Sequence, residues 1–478
     1  RRCAPRPRLG YPSAAMGAPR PLPRAAPLPS PRSGGRLVDG PVGRTLAAQA
    51  APLVAGILAN IGFQLTETWF VGRVGAEALA ALAFCMPVTM TLVSVAIGLS
   101  AGTSVAVARA LGGGRPDHAR RLATDALLLT FAVIATLGAL GAWLVEPIFT
   151  ALGAGPDHLP LIAGYLRIWL PGVVLFLVPM VGLGAVRAAG DTAFQGAAMI
   201  AAVAVNLVAD PILIFGLGPI PPLGLRGAAL GNVAAWSVLC AAAWWKMRRV
   251  GLLETAEPPR PRAFLASSRA ILHVGIPAAA TNAIIPLSAT LIVAILADFG
   301  AEAVAGLGVA SRVEALAMIA FLALSAIVNP FVAANVGAGR PERVVEAVQL
   351  LQRFCLVWGV VLAAVLWLLA PWIASRFTDD PQVIDVARRY LTLVPISYGA
   401  AGILMLTNAA FNGLGRPMAA TALSALRMFA VNVPVAWLGA RLLGVPGVFL
   451  GIALANALVG ALAARWIRQA ARALEGAR

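Results

Sequence analysis

Apolar positions run through this chain in stretches of 20 residues or more, separated by short polar turns. About 20 apolar residues carry a helix across a hydrocarbon core of roughly 30 Å, and lipid offers an open backbone no hydrogen-bond partner, so each stretch is predicted to be a transmembrane helix. Twelve are visible: 46–71, 79–108, 122–145, 162–186, 192–217, 227–245, 271–297, 304–334, 347–375, 386–412, 418–440 and 446–466. The pattern predicts an all-α membrane protein.

The polar turns alternate in charge. Arg115, Arg120 and Arg121, then Arg187, then Lys246, Arg248 and Arg249 follow even-numbered spans, as do Arg340, Arg343 and Arg416; Glu146 and Asp157, and Asp379, Asp380 and Asp385, follow odd-numbered ones. The positive-inside rule then places both termini of a multi-pass membrane protein in the cytoplasm.

A second pattern lies over the first. Gly75-Ala76-Glu77-Ala78 returns as Gly300-Ala301-Glu302-Ala303, Gly114-Arg115-Pro116 as Gly339-Arg340-Pro341, Tyr165-Leu166 as Tyr390-Leu391 and Gly190 as Gly415, all at a shift of 225. Near the ends of the halves, Gly227 to Asn232 resembles Gly451 to Asn456 at a shift of 224. Six spans per half give both halves the same orientation, so the repeat predicts two parallel six-helix bundles related by a pseudo-twofold axis along the membrane normal, with a cleft between them. The expected organisation is a basic, disordered tail at 1–44, a first lobe at 45–249, a cytoplasmic linker at 250–270, a second lobe at 271–467 and a cytoplasmic tail at 468–478.

Composition agrees with a bilayer environment: 60% of residues are hydrophobic and 12% charged, with a mean hydropathy of +0.84. The formal net charge is +17, and residues 1–44 contribute nine arginines and ten prolines against one acid, Asp39. Such a segment cannot bury enough apolar surface to fold, and with no apolar h-region it predicts no cleavable signal peptide. The remaining basic balance suits inside loops facing anionic lipid, and no nucleic-acid partner is expected. The cysteines Cys3, Cys85, Cys240 and Cys355 and the histidines His118, His158 and His273 show no metal-ligand spacing. Neither a nucleophile–base pair nor a His–acid cluster is present, so no enzyme, no metal and no cofactor are expected.

Against this background, polar groups inside the spans are candidate functional sites. The first span carries Asn60, Gln64 and Glu67 on one helical face, and the fifth carries Asn206 and Asp210 followed by Pro211, which removes a backbone donor beside the acid. At the repeat shift Glu67 maps to Ile292 and Asp210 to Val435 or Pro434, so the acids belong to the first lobe alone. Tyr165 and Trp169 share a face of the fourth span and are candidates for a cavity wall or an interfacial belt. Asn232 is a candidate polar partner, with a copy at Asn456. Arg312 and Glu314 in the eighth span and Arg427 in the eleventh read as packing ion pairs or snorkelling ends, with Trp169, Arg312 and Glu314 also candidates for the substrate cavity.

The run Thr66-Glu67-Thr68-Trp69-Phe70-Val71-Gly72-Arg73-Val74-Gly75, followed by Ala78-Leu79-Ala80-Ala81, resembles the opening motif of the multidrug and toxic compound extrusion (MATE) transporters. Gly190-Asp191-Thr192 and Asn206-Leu207-Val208-Ala209-Asp210-Pro211 extend the likeness. Arg312-Val313-Glu314-Ala315-Leu316, leading to Asn335-Val336-Gly337-Ala338-Gly339, is similar to the DinF-type branch. The resemblance implies an antiporter that exports small organic compounds, cationic or amphipathic, in exchange for H+ or Na+; a monomer in a bacterial inner membrane is expected. It assigns the coupling site to Glu67, Asp210, Asn206 and Tyr165, with Asn60, Gln64 and Asn232 as supporting polar groups. The acid of the first span is usually Asp in this family and here is Glu; the acids used by the NorM-type branch in the seventh and tenth spans have no match. Coupling is therefore expected to rest on the first lobe, with H+ favoured because two carboxylates and an amide supply few fixed oxygens for Na+. A lipid-linked oligosaccharide flippase of the same superfamily is the alternative, which would need a basic cavity and keeps Arg167, Arg312 and Arg427 in view.

Overall fold

Helix boundaries follow local chemistry. Proline, which has no N–H to leave unsatisfied, stands in the first turn of the helices beginning at Pro116, Pro261, Pro341, Pro381 and Pro417. Glycine in left-handed or related conformations closes the turns between them. Two pairs of repeated glycines adopt matching backbones in the two halves: φ is 69° at Gly114 and 66° at Gly339, and 83° at Gly190 and 77° at Gly415; Gly75 and Gly300 differ, at 152° and 104°. The sequence repeat is thus a repeat of turn geometry, needed because a side chain at these φ values would be strained.

The computed structural model describes residues 37–151, 153–155, 157–254 and 260–476. Twelve spans long and apolar enough to cross a membrane are present among them. They are α1 (Val42–Val74), α2 (Ala76–Gly112), α3 (Pro116–Trp143), α4 (Leu159–Gly172 and Val174–Ala188), α5 (Ala193–Phe215), α6 (Leu225–Val250), α7 (Pro261–Ala297), α8 (Ala301–Ala317 and Ile319–Gly337), α9 (Pro341–Ala374), α10 (Pro381–Leu393 and Tyr398–Leu414), α11 (Pro417–Ala425 and Val433–Leu443) and α12 (Val445–Gly476). Among the described residues there is no strand, only an isolated bridge between Leu217 and Ile220. The halves α1–α6 and α7–α12 form two parallel six-helix bundles.

Several spans are interrupted. A 3₁₀ stretch, Val394–Ser397, breaks α10, and a π-helical stretch, Leu426–Asn432, widens α11. Such irregularities inside membrane helices occur where protein or a polar cavity satisfies the backbone.

The structure redraws two segment boundaries. Residues 261–270, expected in the linker, are the first turns of α7, started by Pro261 and burying Ser267 and Ser268. Residues 468–476, expected as a tail, continue α12 with Ala470 and Ala471 buried. Most of the basic tail, residues 1–36, lies outside the described residues; Val42 already begins α1.

The lobes meet through small residues at the end of the molecule carrying the described termini. Gly98 and Gly102 of α2 lie against Gly275, Ala279 and Ile271 of α7, and Gly112 lies against Ala334 of α8. Close backbone approach of this kind is how membrane helices associate without a hydrophobic driving force between them. Arg109 Nη2 donates to the Gly413 carbonyl across the lobes at 3.0 Å. Ahead of α1, carbonyls of the 37–40 segment accept from Asn335, Arg340 and Arg343 of the second lobe. Towards the far end Met86, Pro87 and Met90 of α2 and Ile285, Pro286 and Leu287 of α7 are exposed.

Candidate functional site

Three helices of the first lobe are locked by glycine. Gly56 of α1 lies on Gly196 of α5, Gly196 on the Pro52 carbonyl of α1, and Gly227 of α6 on the Leu213 carbonyl of α5. This packing brings the acids of α1 and α5 to the same stretch of α6. Asn232 Nδ2 donates to Glu67 Oε1 at 2.7 Å. The preceding residue, Gly231, faces Asp210 so closely that an added Cβ would overlap the Asp210 carboxyl oxygen Oδ1. Two adjacent positions of α6 therefore seat both acids, one through an amide and one through the absence of a side chain.

Asp210 is completely buried, and neither carboxyl oxygen has a hydrogen-bond partner among the described residues. Asn206, one turn earlier on α5, is also buried, with its Oδ1 unpartnered among the described residues. Glu67 is partly exposed, and Asp210 and the Tyr165 phenol lie within Coulombic reach of it. Glu67, Asp210, Asn206, Tyr165 and Asn232 thus form one cluster. α5 runs through Pro211 as a continuous helix to Phe215.

The remaining polar face of α1 behaves differently. Gln64 Nε2 donates to Asn60 Oδ1 at 3.0 Å along the same helix, and Gln64 is exposed. These two groups satisfy each other rather than the acids. Trp169 leaves the cavity assignment: it is 5% exposed and packs edge-on to Trp236, which stacks on Phe176 inside the first lobe. An indole in such a sandwich is core.

In the second lobe the expected ion pairs do not form among the described residues. Arg312 is exposed, as its position on the outer half of α8 allows. Glu314 instead accepts from the Tyr390 hydroxyl at 2.5 Å, and Arg427 Nη1 donates to Asn456 Oδ1 at 3.0 Å. Asn456 in turn donates to Ser397 Oγ at 3.0 Å. Tyr390 and Asn456 are the repeat copies of Tyr165 and Asn232, so each lobe builds a polar cluster on the same tyrosine and asparagine. Arg167 is tied to Glu146 at 2.9 Å on the surface, where both side chains are more than half exposed.

Gly231 was not among the residues singled out from the sequence. Its signal was there, in the spacing of Gly227 and Gly231 one turn apart beside Asn232.

Similarity to known proteins was sought with this geometry in place. The family model MatE matches residues 52–212 and again 277–438, one match in each lobe. The chain belongs to the MATE family. It is 38% identical over 425 residues to a protein of Shewanella oneidensis described as an FAD transporter, covering 89% of this chain and 94% of the relative. A probable multidrug resistance protein NorM of Thermotoga maritima is 24% identical over 417 residues, covering 86% and 88%. Among solved structures, the Vibrio cholerae MATE transporter VcmN in its bent form superposes with a TM-score of 0.86 at 29% identity, covering 92% of this chain and 99% of that one. The two family matches coincide with the 225-residue repeat, so the MATE unit is what is duplicated. As a MATE protein the chain is a membrane transporter and not an enzyme.

Proposed function

We propose that the chain is an inner-membrane antiporter, termini in the cytoplasm, that exports an amphipathic organic compound in exchange for H+ taken up by the Glu67–Asp210 cluster. The observation that carries the coupling is Asp210, a fully buried carboxyl with no hydrogen-bond partner among the described residues, beside a second acid. A buried carboxylate without donors is costly unless it is protonated or paired with a cation, so the cluster holds a cation or a proton when occupied. Emptying it places two negative charges among α1, α5 and α6, and that charge difference is what can bias their packing.

For the substrate, the 38% identity to a protein described as an FAD transporter favours a flavin dinucleotide, an anionic amphiphile. The relatives described as multidrug resistance proteins, at 24% identity, support cationic compounds as the second reading. A lipid-linked sugar flippase is disfavoured because the arginines do not gather into a basic cavity: Arg167 is spent on Glu146 at the surface, and Arg312 is exposed on the outer half of α8.

The test is transport in proteoliposomes under separate H+ and Na+ gradients, with FAD and with a cationic dye. Export of FAD driven by H+, and lost in Glu67→Gln and Asp210→Asn, is the expected outcome. Undiminished coupled export by both variants refutes the site; dye export without FAD export selects the second reading.

A further inference from the structure

The second lobe carries a positive counterpart to the acid cluster of the first. Arg427 sits in the π-helical stretch of α11, and its repeat position in the first lobe is Ala202, so the charge was placed in one lobe only. Asn456 holds one end of the guanidinium, Arg427 Nη1 donating to its Oδ1 at 3.0 Å, and Ser397 holds Asn456. The buried Arg427 Nε has no partner among the described residues. The nearest acid, Glu314, is within Coulombic reach but is engaged by Tyr390 and forms no ion pair with Arg427 among the described residues. Tyr398, next to Ser397 in the chain and within Coulombic reach of Glu314, is completely buried, and its hydroxyl is also unpartnered among them. Arg427 and Glu314 themselves are partly exposed, so the cluster can be reached by a ligand.

Guanidinium N–H groups left unspent on one edge are the donor set that a phosphate takes in bidentate fashion. The 3₁₀ stretch of α10 supplies Ser397 and the π-helical stretch of α11 supplies Arg427, so the two irregular segments are joined through Asn456. Irregular helix of that kind is found at functional sites. We infer that Arg427, oriented by Asn456, binds the diphosphate of the transported dinucleotide. Glu314, held by Tyr390 and not paired with Arg427 among the described residues, leaves that guanidinium to the diphosphate. The inference rests on the flavin dinucleotide reading above and adds to it a specificity-determining residue in the second lobe, away from the coupling acids.

The test is flavin binding to the purified full-length protein in detergent, followed by flavin fluorescence, with FAD and with riboflavin, which has the ring but no phosphate. The wild-type protein is expected to bind FAD more tightly than riboflavin. Arg427→Gln is expected to weaken FAD by on the order of tenfold or more, the worth of a charge-assisted hydrogen bond, and to leave riboflavin within about twofold. Arg427→Lys, which keeps the charge but loses the fork, is expected to weaken FAD several-fold with riboflavin unchanged, and it decides the matter if Arg427→Gln does not fold. Equal affinity of the wild-type protein for the two flavins, unchanged FAD binding in the variants, or equal loss of both flavins overturns the role of Arg427. A wild-type protein that binds neither flavin instead removes the flavin reading itself, and Arg427 with it.

Discussion

Substituting Gly231 by alanine tests the seating of Asp210 without touching either acid. The methyl group would be built into the space of Asp210 Oδ1, with Asp210 Cγ at 3.2 Å from it and the Asp210 backbone nitrogen at 3.5 Å. Because the overlap is with the carboxyl itself, either the carboxyl turns away or α5 and α6 separate. Forcing extra volume into a packed site costs about 1–3 kcal/mol. At about 1.4 kcal/mol per tenfold, the same strain corresponds to roughly 5- to 150-fold in the affinity of the cluster for its cation, when it falls on the loaded form. Gly62 of α1 supplies the control, since an added Cβ there meets nothing within 4 Å and alanine is the better helix former. The assay is H+-driven export in proteoliposomes beside thermal unfolding in detergent. Gly231→Ala is expected to cut coupled export by tenfold or more while the protein still unfolds cooperatively, and Gly62→Ala to export as the wild type does. Export by Gly231→Ala within about twofold of wild type would show that the position of the Asp210 carboxyl is irrelevant to coupling and would refute the proposed site.

The asparagine copies should separate by function: Asn232→Leu removes the 2.7 Å bond to Glu67 and is expected to weaken H+ coupling by about tenfold, whereas Asn456→Leu releases Arg427 and is expected to lower FAD affinity with the dependence on the H+ gradient preserved. Proteoliposome export and flavin binding on both variants distinguish these outcomes. Arg109→Met, which deletes the bond to Gly413, is expected to loosen the closed end by on the order of 1–3 kcal/mol, read as broadened spin-label distances between α2 and α8. Gly102→Val, whose side chain would meet the Ile271 carbonyl, is expected to prevent closure there and abolish transport in protein that still inserts, scored by membrane yield and export. Trp169→Ala is expected to cost about 3–5 kcal/mol of stability with little change in substrate KM, because the indole is core.

Much of this architecture was legible in the chain because lipid removes choices. A span must be a helix, so hydropathy alone located all twelve, and the glycines at a shift of 225 marked turns, of which Gly114/Gly339 and Gly190/Gly415 match in φ. Of the site, Glu67, Asp210, Asn206 and Tyr165 were visible because polar groups are rare in spans. Their pairing was less so. One helix face placed Glu67 with Gln64 and Asn60, yet the partner that matters is Asn232, 165 residues away, while Gln64 and Asn60 bond each other. Gly231 acts by lacking a side chain, and its mark in the chain is its one-turn spacing from Gly227. The fate of Glu314 and Arg427 was also hidden: a salt bridge is the natural reading of two opposite charges in spans, but which neighbour each meets depends on the 3₁₀ and π-helical stretches, and no periodic pattern announces these.

The shared scaffold and the unshared charges together suggest how labour divides between the lobes. Tyr165 and Asn232 recur as Tyr390 and Asn456, so the polar frame was duplicated with the helices. What differs is the charge each frame holds: two acids in the first lobe, and an acid with an arginine in the second. A cluster of two carboxylates changes charge when it takes up a proton, and in low dielectric that change is large enough to bias helix packing. An acid and an arginine within reach of each other offset one another, so their cluster needs no added cation and can offer its arginine to an anion. The first frame is therefore suited to sensing the gradient and the second to reading the substrate. The closed end, where α2 and α7 touch backbone to backbone, is the mechanical link between them.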